Sequence, residues 1–337
     1  MKTTANNGER TRVAVVGMGQ MGRLHAVTYA TMPEVALVGL VEPDERKHAD
    51  LEREFSVPVV SKLDELGDQV EAVSICTPDD AHVEPAVRAL TMGKFVLVEK
   101  PLAMDVADAE TILKARRSRH HLMVGHILRF DPRVRKCRNA VREGCLGELW
   151  HVEVWRSTTR ETARHVAERA SVTWFLGVHD ADLVRFVTGL DIVKVQGWAR
   201  RIFSPHHDVS YAHLQLTGGV VGSMYNSWAL PGGRPSRALA GLRLVGSAGM
   251  LELELGHHDI LLSGDQVATF LDSWFWPESD ILGSYNLRRE LESFITSYRG
   301  DDDAPVAGED GLAAVRVIES IERSIRGACA VEIVAPN

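Results

Sequence analysis

The stretch Val13–Gly22, VAVVGMGQMG, decides how the rest of the chain is read. Val13, Ala14, Val15 and Val16 make a short apolar run of the kind found in strands buried on both faces. Gly17, Gly19 and Gly22 then follow at the spacing G-x-G-x-x-G. The first glycine permits a tight turn, the second lets backbone approach a pyrophosphate, and the third lets the following helix pack closely on the strand. That helix opens near Gln20 and Met21, whose N–H groups would face the phosphates.

The next apolar run, Val35–Val41, ends in Glu42, about twenty residues beyond the last glycine. A carboxylate at that position accepts hydrogen bonds from the ribose hydroxyls of an adenosine and repels a 2′-phosphate, so NAD is expected in preference to NADP. Arg46 and Lys47 soften the repulsion.

Strand and helix patterns alternate onward from Glu42. Apolar runs at 57–60, 70–76, 95–98 and 122–124 are separated by helical segments at 44–55, 81–92 and 105–119. This is the signature of a doubly wound parallel sheet, and such sheets bind ligands at the carboxyl ends of their strands. Gly17, Glu42, Thr77 and Lys100 therefore belong to one rim. After about Gly125 the pattern changes to a helix at 132–143, a strand at 148–156, a helix at 181–187, and then strands at 192–203, 208–217, 220–228, 242–245, 250–255, 260–262 and 266–271. Strands in succession predict a mostly antiparallel open-faced sheet with helices on one side. Two closing helices carry core-packing stripes, Leu287, Leu291, Phe294, Ile295 and Tyr298 in one, and Leu312, Val315, Ile318, Ile321 and Ile325 in the other. The expected organisation is a frayed tail over residues 1–10, a dinucleotide-binding domain over 11–125, and a substrate-binding and oligomerisation domain over 126–337. A sheet face left open is most readily covered by a second copy, which predicts a homodimer or homotetramer.

Bulk properties narrow the classes further. The 337 residues carry a formal net charge of −8, without the basic footprint of a nucleic-acid binder. No apolar run is long enough to span a bilayer, and the polar start MKTTANNGER is unlike a signal peptide. Cys76, Cys137, Cys145 and Cys329 are scattered, with no C-x-x-C pair for zinc or redox chemistry. No metal is expected, and the cysteine usage suits a reducing cytoplasm.

With these residues in view, the chain resembles the glucose-fructose oxidoreductase, inositol dehydrogenase and rhizopine catabolism (Gfo/Idh/MocA) family over nearly its whole length. The resemblance rests on GMGQMG, Glu42, Thr77-Pro78 with His82, Glu99-Lys100-Pro101, Gly125-His126 with Arg129-Phe130, the run Gly177–Asp182, and Gly246–Gly249 between two strands. It implies NAD-linked oxidation or reduction of a ring carbon of a sugar or cyclitol, and a Lys100–Pro101 bond that is commonly cis. It also assigns Lys100 and His179 to catalysis, Thr77, Pro78, His82 and Glu99 to the cofactor beside the glycine loop and Glu42, and His126, Arg129, Arg156 and Asp182 to the substrate. Lys100 suits the chemistry. Removing a hydroxyl proton needs a base, an ammonium of ordinary pKa ~10.4 is a poor one, and burial beside a positive nicotinamide would favour the neutral amine while Glu99 opposes it.

One position departs from the pattern. Many members carry an aspartate four residues before the histidine, and this chain has Phe175 there. Either Lys100 and His179 suffice, helped by Asp180 or Asp182, or the chain is a cofactor-binding sensor or corepressor that has given up catalysis. A glycosidase that uses NAD for a transient oxidation is a third reading. Arg156, Arg160 and Arg164 recur every four residues and would line one helical face. That face suits an anionic sugar, or else is a solvated face balanced by Glu161 and Glu168.

Overall fold

A computed structural model of the chain describes residues 10–232, 238–255, 261–263, 268–270, 285–300 and 304–334. The expected tail, apart from Arg10, and the outer ends of the two strands expected around 260–271 lie outside the described residues. The chain divides into two compact units, residues 1–127 with 278–312, and residues 128–277 with 313–337.

In the first unit the elements run β1 (Thr11–Val16), α1 (Gln20–Ala30), β2 (Val35–Val41), α2 (His48–Phe55), β3 (Val59–Val60), β4 (Ala72–Ile75), α3 (Val83–Thr91), β5 (Phe95–Glu99), α4 (Val106–Ala115) and β6 (Leu122–Gly125). The strands form one sheet in the order β3-β2-β1-β4-β5-β6, every pair parallel. This is the doubly wound dinucleotide-binding order. Val13, Ala14, Val15, Val73, Val96 and Val98 have no exposed surface, so the apolar runs read from the sequence are the centre of a sheet covered on both faces.

The second unit holds α5 (Pro132–Arg142), β7 (Leu149–Thr159), α6 (Arg160–Ala163), α7 (Val178–Thr188), β8 (Ile192–Arg200), β9 (Val209–Leu216), β10 (Val221–Leu230), β11 (Ala238–Gly246), β12 (Gly249–Glu254) and a small hairpin, β13 (Leu261–Ser263) with β14 (Ala268–Phe270). Its large sheet has the order β12-β11-β7-β10-β9-β8-β15, where β15 is Val331–Glu332. All neighbours are antiparallel except β7 and β10, which run parallel at the centre. Along β9, Ser210, Ala212, Leu214 and Leu216 are buried while Tyr211, His213 and Gln215 are exposed, the alternation of a sheet covered on one side only.

The last two helices divide differently from expectation. Helix α8 (Tyr285–Gly300) and the start of α9 (Gly308–Gly327) belong to the first unit, not to a single domain over 126–337. Phe294 packs on Phe95 with ring centroids 5.1 Å apart, and Arg299 donates to Thr11 Oγ1 at 3.0 Å. The remainder of α9 packs in the second unit, where Ile321 and Ile325 crowd Gly197 of β8. Periodicity shows that a helix has a buried stripe, and Leu287, Leu291, Phe294 and Ile295 are indeed buried, but it does not say which core receives them.

The glycine loop is set by close approach of backbones. Gly17 has φ +87°, and a Cβ on it would lie 2.8 Å from Thr77 Cα. A Cβ on Gly22 would lie 1.9 Å from the Gly17 carbonyl oxygen, whereas one on Gly19 would meet nothing within 4 Å. Gly22→Ala is therefore expected to cost about 3 kcal/mol of unfolding free energy through forced separation of α1 from the loop. Gly19→Ala should stay within about 0.5 kcal/mol of the parent in urea denaturation.

Candidate active site

The carboxyl edge of the parallel sheet gathers the expected cofactor residues. Helix α1 starts at Gln20 directly after the loop, with no side chain capping its N-terminus and no acidic residue in its first turn. Gly19 opens on free space, so the backbone is accessible at the point where a pyrophosphate would approach. Glu42, 5% exposed at the end of β2, accepts from Met18 N–H at 3.3 Å, which places its carboxylate against the glycine loop. It also accepts from Asp44 N–H at 3.1 Å and from Lys47 Nζ at 3.2 Å. Arg46 forks onto Asp44 at 2.7 and 2.9 Å, a pairing that draws the Asp44 carboxyl down to about 2 and occupies one of the two cations near Glu42. These residues fit a dinucleotide with free ribose hydroxyls.

After β4, Thr77 Oγ1 donates to the Ala81 carbonyl at 2.9 Å, closing the turn at Pro78. His82 was expected at the cofactor, but it is 1% exposed and both its ring nitrogens meet backbone carbonyls, Pro101 at 2.7 Å and Thr77 at 3.0 Å. Burial holds its proton affinity below the ordinary histidine value, against the pull of the Pro101 carbonyl. The ring ties the turn after β4 to the turn after β5.

Lys100 follows β5, half-buried, and the Lys100–Pro101 bond is cis as the resemblance implied. Glu99 is buried behind it. Its Oε2 accepts from Lys100 N–H at 3.1 Å and its Oε1 lies 3.1 Å from His25 Nε2. Burial alone would raise the Glu99 carboxyl, but the His25 contact and Lys100 outweigh it, so the net shift is downward and the group is ionised. A Cβ on Gly125 would press on Glu99 at 3.2–3.3 Å, so the bare backbone of β6 makes room for that side chain. His126 is buried just beyond the same strand.

In the second unit, the expected substrate residues Arg129, Arg156 and Asp182 are engaged in buried ion pairs on α7. Arg129 grips Asp182 through Nε at 2.9 Å and a second nitrogen at 2.5 Å, and lies over the Phe186 ring at 4.9 Å. Arg156 donates to Asp180 at 2.9 Å, and Asn226, directly across from Arg156 in the β7–β10 register, donates to the other Asp180 oxygen at 2.7 Å. All five side chains are buried. Desolvation nonetheless leaves the Asp180 carboxyl above its ordinary value, with Arg156 and Asn226 opposing. These pairs anchor the first turns of α7. His179, immediately ahead of Asp180 in the first turn of the helix, stays partly exposed.

The four-residue arginine recurrence does not make a helical face. β7 continues through Ser157, Thr158 and Thr159, so Arg156 lies on a strand and points inward, while Arg160 starts α6 and lies over the Phe203 ring at 5.2 Å. Phe175 lies in a single π-helical turn, Thr173–Gly177, leading into α7. It packs against Trp228 with centroids 6.4 Å apart, beside Ala163, Ala167, Val172 and Leu176. Trp228 in turn donates through Nε1 to Asp208 at 2.8 Å. Sequence reasoning gave no sign of Trp228 or of the Asp180–Asn226 contact, because partners 46 residues apart leave no local pattern.

The fold and the loop define a Rossmann-type dinucleotide-binding oxidoreductase. Residues 11–126 match the family described as "Oxidoreductase family, NAD-binding Rossmann fold", and residues 134–252 match the "GFO/IDH/MocA C-terminal domain". The chain belongs to the Gfo/Idh/MocA family. It is 25% identical over 331 residues to scyllo-inositol 2-dehydrogenase (NAD(+)) of Bacillus subtilis, covering 90% of this chain and 92% of that one. Over 214 residues it is 28% identical to UDP-N-acetylglucosamine 3-dehydrogenase of Acidithiobacillus ferrooxidans, a match spanning 63% of this chain and 66% of that enzyme. The fold matches scyllo-inositol dehydrogenase from Lactobacillus casei with bound NAD(H) and scyllo-inositol at a TM-score of 0.83 and 20% identity, covering 96% and 99% of the two chains. Among the described residues no helix is long and apolar enough to cross a membrane.

Asp182→Ala leaves the Arg129 guanidinium buried without its carboxylate and is expected to cost about 3 to 5 kcal/mol in urea denaturation. Arg160→Ala, which removes only a partly solvated contact, should stay within about 0.5 kcal/mol.

Proposed function

We propose that the protein is an NAD-dependent dehydrogenase that oxidises a secondary alcohol of a cyclitol or sugar, with Lys100 as the acid–base group. The observation that carries this reading is the position of Lys100, on the turn after β5 at the same sheet edge as the glycine loop and Glu42, with a buried carboxylate fixing its backbone. The loop N–H groups and the Gln20–Met21 helix start are assigned to the pyrophosphate, and Glu42 to the ribose. The bound nicotinamide supplies the hydride acceptor. Lys100 takes the hydroxyl proton, and His179 orients the hydroxyl. Arg129, Arg156 and Asp182 act at one remove by fixing α7, and His126 remains a candidate substrate contact. NAD is preferred over NADP because Glu42 opposes a 2′-phosphate and Arg46 is already held by Asp44.

The relatives' names suggest scyllo-inositol, myo-inositol and UDP-N-acetylglucosamine as first substrates to try. NADH absorbance should rise with at least one of these or a related polyol. Lys100→Met should lower kcat/KM by about 10²-fold or more while calorimetric NAD binding persists. Tight NAD binding without turnover across the panel would instead favour the sensor reading, which Phe175 in its aromatic cluster supports.

We also assign self-association to the open face of the large sheet. Trp198, Tyr211, Tyr225 and Trp155 lie in one cross-strand row over β8, β9, β10 and β7, with Trp198 50% exposed. A second copy of the chain is the occupant that makes a homodimer or homotetramer. Tyr211→Asp with Tyr225→Asp should convert the species measured by light scattering to a monomer. An unchanged mass would reject this face.

A further inference from the structure

Helix α8 presents Glu290, Phe294 and Tyr298 at four-residue spacing, and this stripe faces β5. Phe294 and Tyr298 pack on Phe95 at the start of the strand, with centroids 5.1 and 5.5 Å away. Glu290, one turn earlier on α8, lies toward the other end of β5, where Glu99 sits. Glu290 has no exposed surface, and neither carboxylate oxygen has a hydrogen-bond partner. Glu99 takes both the His25 contact and the Lys100 N–H. The groups facing Glu290 are Glu99 at the end of β5, Tyr29 from α1 and Cys76 after β4. His25 and Lys100 are the groups of opposite or variable charge that face Glu99.

A second ionised carboxylate in such a place would be a buried charge with no counter-ion and a like-charged neighbour, and such charges are avoided by taking up a proton. Tyr29 is held neutral by burial, with its hydroxyl 2.8 Å from Ser74 Oγ, and burial likewise keeps Cys76 as a thiol. Neither supplies a positive charge. Glu99 is ionised and partnered, so the proton belongs on Glu290.

We propose that Glu290 is a positioning residue held as a neutral carboxylic acid behind Glu99, so that the buried set carries one negative charge at the base of Lys100 instead of two. This rests on the reading of Lys100 as the acid–base group. Ionisation of Glu290 would add a negative charge behind the lysine, strengthen its hold on its proton, and remove base from the reaction. Burial and the Glu99 charge both push the Glu290 carboxyl well above its ordinary value.

The linkage has a definite sign. In the unfolded chain Glu290 titrates at about 4.3, and in the folded protein well above, so between the two the folded form holds more protons. The contribution of Glu290 to stability is therefore complete below about 4.3 and lost as pH rises toward the folded value.

The test uses the full-length protein with ¹³C-labelled glutamate. At neutral pH the infrared difference between wild type and Glu290→Gln should contain the carbonyl band of one protonated carboxyl group. Glu290→Gln should also flatten the fall of Tm across the neutral range, and kcat/KM of the variant should exceed that of wild type as pH rises and Glu290 of the wild type ionises. If Glu290→Gln does not fold, wild type and Glu99→Gln suffice, because loss of the Glu99 charge should move disappearance of the protonated band to lower pH. Absence of the band from wild type, or superimposable pH profiles for wild type and Glu290→Gln, would overturn the proposal. Full turnover by Lys100→Met with the band intact would overturn the lysine assignment and leave the protonated Glu290 standing.

Discussion

A buried carboxylate at the end of a central strand constrains the first unit more than any other group. Glu99 is removed from water, so its charge must be met by protein, and His25 from α1 and the Lys100 backbone meet it. That requirement fixes the distance of α1 from β5, and with it the start of α1 beside the glycine loop. It also demands a glycine at Gly125, where a side chain on β6 would press on Glu99. His82 extends the same bracing by joining the turns after β4 and β5. The chemistry proposed for Lys100 thus depends on a backbone held in place by groups that never touch substrate.

The second unit meets a similar constraint by other means. Two arginines reach the first turns of α7 from separate elements, Arg129 ahead of α5 and Arg156 on β7, and each finds an aspartate on the helix. Such pairs add little net stability over an apolar substitute, but breaking one leaves a buried charge alone. Their geometry fixes the rotation of α7, and with it the direction of the partly exposed His179 in the same first turn. Phe175, one turn ahead, is fixed by Trp228 and an apolar cluster instead of by charge. The local π-helical turn is of the kind found at functional positions in helices.

Much of this was legible in the amino-acid sequence, and the parts that were not share a cause. The glycine spacing, the strand ending in Glu42 and the alternation of strand and helix depend on neighbours a few residues apart, and the parallel sheet follows them closely. The return of α8 to the first unit was invisible, because the Leu287, Leu291 and Phe294 stripe fits any apolar surface. The parallel pairing of β7 with β10 joins strands separated by α7 and a hairpin, which no local rule encodes. Arg156, Arg160 and Arg164 misled because the recurrence crosses an element boundary, with Arg156 on β7 and Arg160 at the start of α6, so no single face carries all three. Arg129, Arg156 and Asp182 were placed near the substrate by the resemblance, and only three-dimensional proximity revealed that Arg129 pairs with Asp182 and Arg156 with Asp180.

In the proposed reaction, hydride moves from a carbinol carbon to NAD. The most direct test of that transfer is incubation with NAD and a polyol substrate carrying deuterium on the carbinol carbon, followed by mass spectrometry of the cofactor. Recovery of the deuterium in the reduced nicotinamide is the expected result. Deuterium retained in the polyol, or lost to solvent with the cofactor unreduced, would contradict the account.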